Sequence, residues 1–271
     1  MVRKLQNLLP TREELLKWTL ETLRRIGVKP KDRLGQHFLI DPHGVRLFLE
    51  ALAKWESNDM MEVGPGLGVL TIHTSLIASR IIAIEIDPLL ASHLATITKD
   101  NVLVVRGDGL DHVISTSIGI VYSNTPYSIS SKLVTLIARN NRIKYSLLGV
   151  QLELAKRMIA KPGEKDYGRL TLLVNRYFSA KLIGVIPWSS FYPEPEVSGA
   201  LIELWRKRDW MDGDELFELL TRCLFSNRNK KATKIASKCL DVETGKLSWL
   251  GEKRVRELTL EDVEKLMDLM R

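Results

Sequence analysis

What most constrains this chain is an alternation of short apolar runs with helix-like stretches between residues 60 and 150. Strand-like runs fall at residues 60–63, 81–86, 102–105, 120–122 and 145–150, and helix-like stretches at 71–78, 88–97 and 130–139. The run at 81–86, Ile-Ile-Ala-Ile-Glu-Ile, is continuous, as expected of a strand buried on both faces. Repeated βα units of this kind predict an α/β fold with a mostly parallel sheet covered by helices on both sides. Residues 172–178, 181–186 and 200–205 follow with little helix between them, which predicts a β-rich, partly antiparallel end to the sheet. After Trp205 the pattern breaks, and residues 214–225, 228–240 and 260–270 read as helices of a small C-terminal domain. Upstream, Thr11 with Glu14 three residues later caps a helix that Gly27 stops, and Asp41-Pro42 opens another over residues 42–55.

A chain of 271 residues with 45% hydrophobic and 27% charged side chains is long enough for one large and one smaller core. No apolar run approaches the roughly 20 residues that span a bilayer, and no signal peptide is visible. Cys223 and Cys239 are the two cysteines, which fits a reducing, cytoplasmic setting and argues against a disulfide scaffold. No Cys/His cluster suggests a metal, and none is expected. The net charge of +7 suits a polyanionic partner. Its distribution says more: Arg222, Arg228, Lys230, Lys231, Lys234 and Lys238 fall within residues 221–240 without an acidic residue among them. The first 34 residues carry nine basic and four acidic side chains.

In open α/β sheets ligands bind beyond the carboxyl ends of the strands, where strand order reverses. Glu62-Val63-Gly64-Pro65-Gly66-Leu67-Gly68 lies at such an end. Its glycines let backbone approach a ligand. Glu85 ends the second strand, where a carboxylate can accept from both hydroxyls of a ribose, and Asp108 ends the third, where it can accept from an adenine amine. The Gly-x-Gly-x-x-Gly spacing of dinucleotide dehydrogenases and the P-loop pattern are both absent. A Glu before the first Gly, with acids ending strands two and three, resembles class I S-adenosylmethionine (SAM) methyltransferases. That resemblance implies a Rossmann-like, mostly parallel seven-stranded sheet.

Further segments narrow the resemblance. Leu34-Gly35-Gln36-His37-Phe38-Leu39-Ile40-Asp41, the glycine loop, Asn124-Thr125-Pro126-Tyr127-Ser128-Ile129-Ser130, Ala155-Lys156-Arg157, Lys161-Pro162-Gly163, Tyr167-Gly168-Arg169-Leu170 and Phe191-Tyr192-Pro193-Glu194-Pro195-Glu196-Val197 occur in that order. The set resembles the small-subunit ribosomal RNA adenine N6,N6-dimethyltransferase family, in its archaeal or eukaryotic branch. The resemblance divides the chain into a basic extension at 1–33, a catalytic domain at 34–206 and a helical RNA-binding domain at 207–271. It implies SAM as methyl donor, small-subunit ribosomal RNA and the assembling small subunit as partners, and a monomer away from membranes.

By the same resemblance His37, Leu39, Gly64, Gly66, Glu85, Asp108 and Asn124 would hold the donor, and Tyr127 and Phe191 would face the target base. Arg228, Lys230, Lys231 and Lys234 would meet RNA phosphates, giving salt-sensitive affinity. The catalytic group would be Asn124, Thr125, Pro126 and Tyr127. The Asn124 amide oxygen and the Thr125 carbonyl can accept from an adenine amino group, Pro126 fixes the geometry, and Tyr127 can stack on an extruded base. The chain departs from the family pattern at Thr125, usually Leu or Ile, whose hydroxyl would add polarity beside the reactive nitrogen and affect a second methylation. Gly199 stands where Ser is common. The competing readings are a non-catalytic ribosome assembly factor of the same fold and an adenine methyltransferase acting on another ribosomal RNA.

Overall fold

The computed structural model of the protein describes residues 9–31 and 34–270; the first part of the basic extension, with Asp32 and Arg33, lies outside them. Seven strands form one sheet in the order β4-β3-β2-β5-β6-β9-β7. They are β2 (Asp59–Val63), β3 (Arg80–Glu85), β4 (Val102–Arg106), β5 (Ile120–Asn124), β6 (Tyr145–Gln151), β7 (Phe178–Ile186) and β9 (Gly199–Arg206). β2 pairs in parallel with both β3 and β5, β5 with β6, and β6 pairs antiparallel with β9. The chain leaves β2 toward β3 on one side and returns to β5 on the other. The crevice beyond the ends of β2 and β5 is therefore the switch point at which such sheets bind ligands.

The helices are α1 (Arg12–Ile26), α2 (Pro42–Leu52), α3 (Val69–Thr74), α4 (Pro88–Ile97), α5 (Gly109–Ser115), α6 (Ser130–Arg139), α7 (Leu152–Ile159) and α8 (Arg169–Tyr177). After the sheet come α9 (Asp214–Phe225), α10 (Ala232–Leu240) and α11 (Leu260–Asp268). Several boundaries follow from short side-chain devices. Thr11 and Glu14 form the reciprocal capping box on α1, and Gly27 ends it at φ +69°. Asp41, Asp87 and Asp108 each accept a backbone N–H at the start of α2, α4 and α5.

The structure corrects the strand expected at 172–178: this stretch is α8 apart from Phe178, which opens β7. Gly168 begins the helix, its N–H donating to Thr171 Oγ1 at 3.0 Å, and the Thr171 hydroxyl donates to the Arg157 carbonyl. Leu172, Leu173, Val174, Arg176 and Tyr177 then turn inward, so local β-propensity yields to tertiary packing. The helix expected at 228–240 starts only at Ala232, and Arg228–Lys231 form a turn and a bridge to Arg254.

Residue contacts separate the chain into two compact units. One holds Met1–Ala155 and Lys181–Arg206, the other Lys156–Ala180 and Lys207–Arg271, so residues 156–180 group with the C-terminal helices. The first unit's core gathers Phe48, Leu52, Met60, Ile81, Leu147 and Leu201 around the sheet. Each such side chain contributes about 1.5–3 kcal/mol by burial. In the second unit Phe217, Leu224, Val255 and Leu266 are buried, and Arg176 donates to Asp214 at 2.9 Å in a buried ion pair. Cys223 and Cys239 are joined in a disulfide. The bridge corrects the reading of two unpaired cysteines, because the packing of α9 against α10 brings their Cα atoms within 5.9 Å.

Candidate active site

The glycine turn after β2 is built by positive φ angles, +68° at Gly64, +60° at Gly66 and +92° at Gly68. At Gly66 a Cβ would also meet the Phe38 ring at 3.2 Å, and at Gly68 the Leu94 side chain at 2.4 Å. Glu85 fastens this turn from the next strand. Its Oε2 accepts the Gly66 N–H and its Oε1 the Asp87 N–H, both at 2.9 Å. Burial pushes the Glu85 pKa up, against those N–H groups. Asp108 uses Oδ1 to accept the Leu110 N–H at 2.9 Å.

These groups line one cavity at the carboxyl ends of β2, β3 and β5, together with His37, Leu39, Gly64, Asn124 and Pro126. Glu85, Asp108 and the glycine turn, far apart in the sequence, thus line the same space. Glu62, buried in the cavity floor, and Ile86 at its rim belong to it too, although neither was assigned a role beforehand.

Asn124 closes β5 at the edge of this cavity. Its Nδ2 donates to the His37 carbonyl at 3.4 Å, and His37 Nδ1 lies 2.8 Å from the Pro193 carbonyl. Thr125 N–H donates to the Gly149 carbonyl at 2.9 Å, so the chain is still held to β6 as it leaves the sheet. Pro126 turns it into α6, its carbonyl accepting the Ile129 N–H at 3.0 Å and the Ser130 hydroxyl. Among the described residues no donor reaches the Thr125 carbonyl. The loop is hemmed in by two glycines, Gly149 and Gly35. A Cβ at Gly149 would stand 3.0 Å from Asn124 Oδ1 and 3.1 Å from Phe48, and one at Gly35 3.2 Å from Pro126 and from the Tyr127 nitrogen.

Tyr127 is half-buried, its ring 5.9 Å from that of His37 at 31°. Its hydroxyl is buried near Gly199 and Phe191, and burial pushes its pKa up to about 12, which keeps the phenol neutral. Two expectations need correction. Thr125 is 2% exposed and its hydroxyl is buried outside the cavity lining, so it does not face the cavity. Phe191 is 3% exposed because pairing of β1 (Phe38–Leu39) with β8 (Phe191–Tyr192) turns it into the core, which leaves no open face for a base.

In the second unit the predicted basic residues divide by role. Arg228 donates to the backbone carbonyls of Glu164 and Lys165, and Lys231 pairs with Glu252 at 2.6 Å. Lys230 and Lys234 are exposed, with no acidic partner among the described residues. Backbone hydrogen bonds set residues 228–232 beside Lys253, Arg254, Val255 and Arg256. That second basic segment was not anticipated, because it joins the first only through the fold. Among the described residues no helix is long and apolar enough to cross a membrane, and no cluster of side chains could hold a metal.

Known proteins place this geometry in a family. The ribosomal RNA adenine dimethylase family model matches residues 27–270. A ribosomal RNA small subunit methyltransferase A of Aeropyrum pernix is 42% identical over 193 residues, 70% of each chain. One from Pyrococcus abyssi is 35% identical over 260 residues, covering 92% of this chain and 95% of that one. Among solved structures, a dimethyladenosine transferase from Plasmodium falciparum superposes with a TM-score of 0.73 at 27% identity, covering 85% of this chain and 96% of that one. The 23S rRNA methyltransferase ErmE, at 22% identity and a TM-score of 0.62, covers 86% of this chain and 99% of its own and shares the fold. With the match running from before the first motif to the last helix, the chain belongs to the ribosomal RNA adenine dimethylase family.

Proposed function

We propose that this protein transfers methyl groups to N6 of two adjacent adenines near the 3′ end of small-subunit ribosomal RNA, giving N6,N6-dimethyladenosine during small-subunit assembly in the cytoplasm. The observation that carries this reading is that Asn124 and Pro126 line the same cavity as Glu62, Glu85 and the glycine turn, while the carbonyl of Thr125 between them accepts no hydrogen bond among the described residues. The cavity residues suit the donor: buried carboxylates without cationic partners among the described residues, positive-φ glycines that carry no side chain, and strand-end acids for ribose and adenine. Bound there, SAM would supply a methyl group already activated on a sulfonium.

The remaining work is positioning. Adenine N6 is a weak nucleophile because its lone pair is delocalised into the ring. Asn124 Oδ1 and the Thr125 carbonyl accept its two amino hydrogens, which favours a pyramidal nitrogen with the lone pair directed at the donor. Pro126 fixes that carbonyl, and Gly149 leaves the space in which Asn124 Oδ1 sits. Tyr127 offers its partly exposed ring to the extruded base, a stacking contact worth about 1–3 kcal/mol. The base must leave its helix or lie in a single-stranded loop to reach this point.

RNA would lie along the second unit's basic surface, where Lys230 and Lys234 are exposed toward phosphates, Lys230 on the turn that Arg228 and Arg254 brace and Lys234 on the helix that follows. The deciding experiment incubates the purified protein with labelled SAM and unmethylated small subunits, then maps the label. Label in adjacent adenines near the 3′ end supports the reading. Particle binding without transfer would leave only an assembly role, and label in another RNA would redirect the substrate.

A further inference from the structure

Glu62 sits at the floor of the donor cavity in a setting that the protein's own charges do not balance. It is 1% exposed, and among the described residues no cation pairs with it. What holds it is Tyr122 on β5, itself fully buried, whose hydroxyl donates to Glu62 Oε2 at 2.8 Å. The groups that face this carboxylate are Tyr122 from β5, Glu85 from β3, and from α3 the uncharged hydroxyls of Thr71 and, beside Tyr122, Thr74. A carboxylate buried beside another carboxylate, with hydroxyls alone for company, is costly to ionise unless a positive charge arrives from outside. The methyl donor brings one, since its sulfonium and its ammonium are both cationic.

We propose that Tyr122 is a positioning residue that aims Glu62 as the counter-charge for the cationic donor, so that donor binding drives a proton from Glu62 into solvent. This rests on the cavity being the SAM site. In the free protein burial raises Glu62 to about 7, with the Thr71 and Tyr122 hydroxyls favouring the charged form and Glu85 opposing it. A bound cation favours the carboxylate, so binding and deprotonation are linked. Donor affinity climbs with pH until Glu62 is already ionised in the free protein, then levels off. Removing the Tyr122 hydroxyl takes away one group that favours the charged form. The free-protein titration then moves upward in pH, and the affinity plateau moves with it. A merely structural role for Tyr122 would weaken binding equally at every pH.

The test is calorimetric titration of the intact protein with SAM from about pH 5.5 to about pH 8.5, in buffer pairs of different ionisation enthalpy, which counts protons released on binding. For wild type the expected result is proton release near neutrality and affinity that rises by up to about tenfold per pH unit before levelling. Tyr122→Phe, nearly isosteric, should show the same curve displaced to higher pH, and Glu62→Gln a flat curve without proton release. Failure of SAM to bind at all would overturn the donor reading along with this inference. Binding without proton release in wild type, or a Tyr122→Phe curve that overlays the wild-type one, would overturn the inference alone.

Discussion

The donor cavity and the basic surface of the second unit are both electrostatic devices, built in opposite ways. In the cavity, Glu62 and Glu85 are buried, held by defined hydrogen bonds, and raised in pKa by desolvation. On the basic surface, Lys230 and Lys234 stand in solvent, Lys230 on a turn held by its backbone, by neighbouring arginines and by the Lys231–Glu252 pair, and Lys234 in the first turns of α10. Buried charges act at short range and are little screened, whereas exposed ones act through many weak contacts and fade with salt. On the proposed function, one region would select a small ligand by fixed geometry, and the other would hold a large polyanion by summed charge.

The sharpest way to break this comparison is at Asn124, where only the cavity rim should matter. Asn124→Ala is expected to lower methyl transfer by about a hundredfold or more, a loss typical of removing one preorganised hydrogen-bonding group, while a filter-binding assay shows RNA affinity nearly unchanged. Gly149→Ala should follow. Its new Cβ would press on Asn124 Oδ1 from 3.0 Å, with Phe48 blocking retreat at 3.1 Å. Misplacement of this size is expected to cost about ten- to a hundredfold in kcat, with KM for RNA little affected.

The complementary break is on the basic surface. Reversing Lys230, Lys234 and Lys238 to Glu should weaken RNA binding and flatten its salt dependence by about 0.7–0.9 log units per lost phosphate contact, with SAM affinity intact. Reduction of the Cys223–Cys239 bridge should act on the same unit through stability. Closing a loop across a separation of 16 residues is worth about 3 kcal/mol, so calorimetric melting should show a lower Tm after reduction, while SAM titration is unchanged. A further effect is in donor-free stability. Glu62 has its pKa raised to about 7 from 4.5, so the folded state holds its proton longer than the unfolded chain. Its stabilising contribution is fully present below pH 4.5 and is lost as pH rises through about 7, a trend in Tm that Glu62→Gln should reduce, leaving the part due to Glu85.

What could be read from the sequence was what local chemistry fixes. Glu85 ends β3 and Asp108 lies two residues beyond β4, after apolar runs that are unambiguous, and the glycine turn needs its positive φ angles whatever surrounds it. Asn124 and Pro126 were legible for the same reason, lying directly after a short apolar strand. Facing was harder. Thr125 and Phe191 have ordinary cavity-lining chemistry, but β5 and the β1–β8 pair turn both inward. Residues 172–178 have strand-like composition, yet a glycine start at Gly168 and the Thr171 bond to Arg157 make most of them helix. The disulfide and the pairing of Lys253–Arg256 with the Arg228 turn depend on how α9 and α10 pack, which no local pattern announces. Glu62 was visible as a motif residue, but its lack of a cation is a fact of three dimensions.

The central claim is that the Asn124 loop methylates adenine N6 on small-subunit RNA. Mass spectrometry of nucleosides from unmethylated small subunits, treated with SAM and either wild type or Asn124→Ala, tests it most directly. The account predicts N6,N6-dimethyladenosine with wild type and its loss with the variant, while both proteins bind the particle. Equal dimethyladenosine from both proteins, or none from wild type bound to the particle, would contradict it.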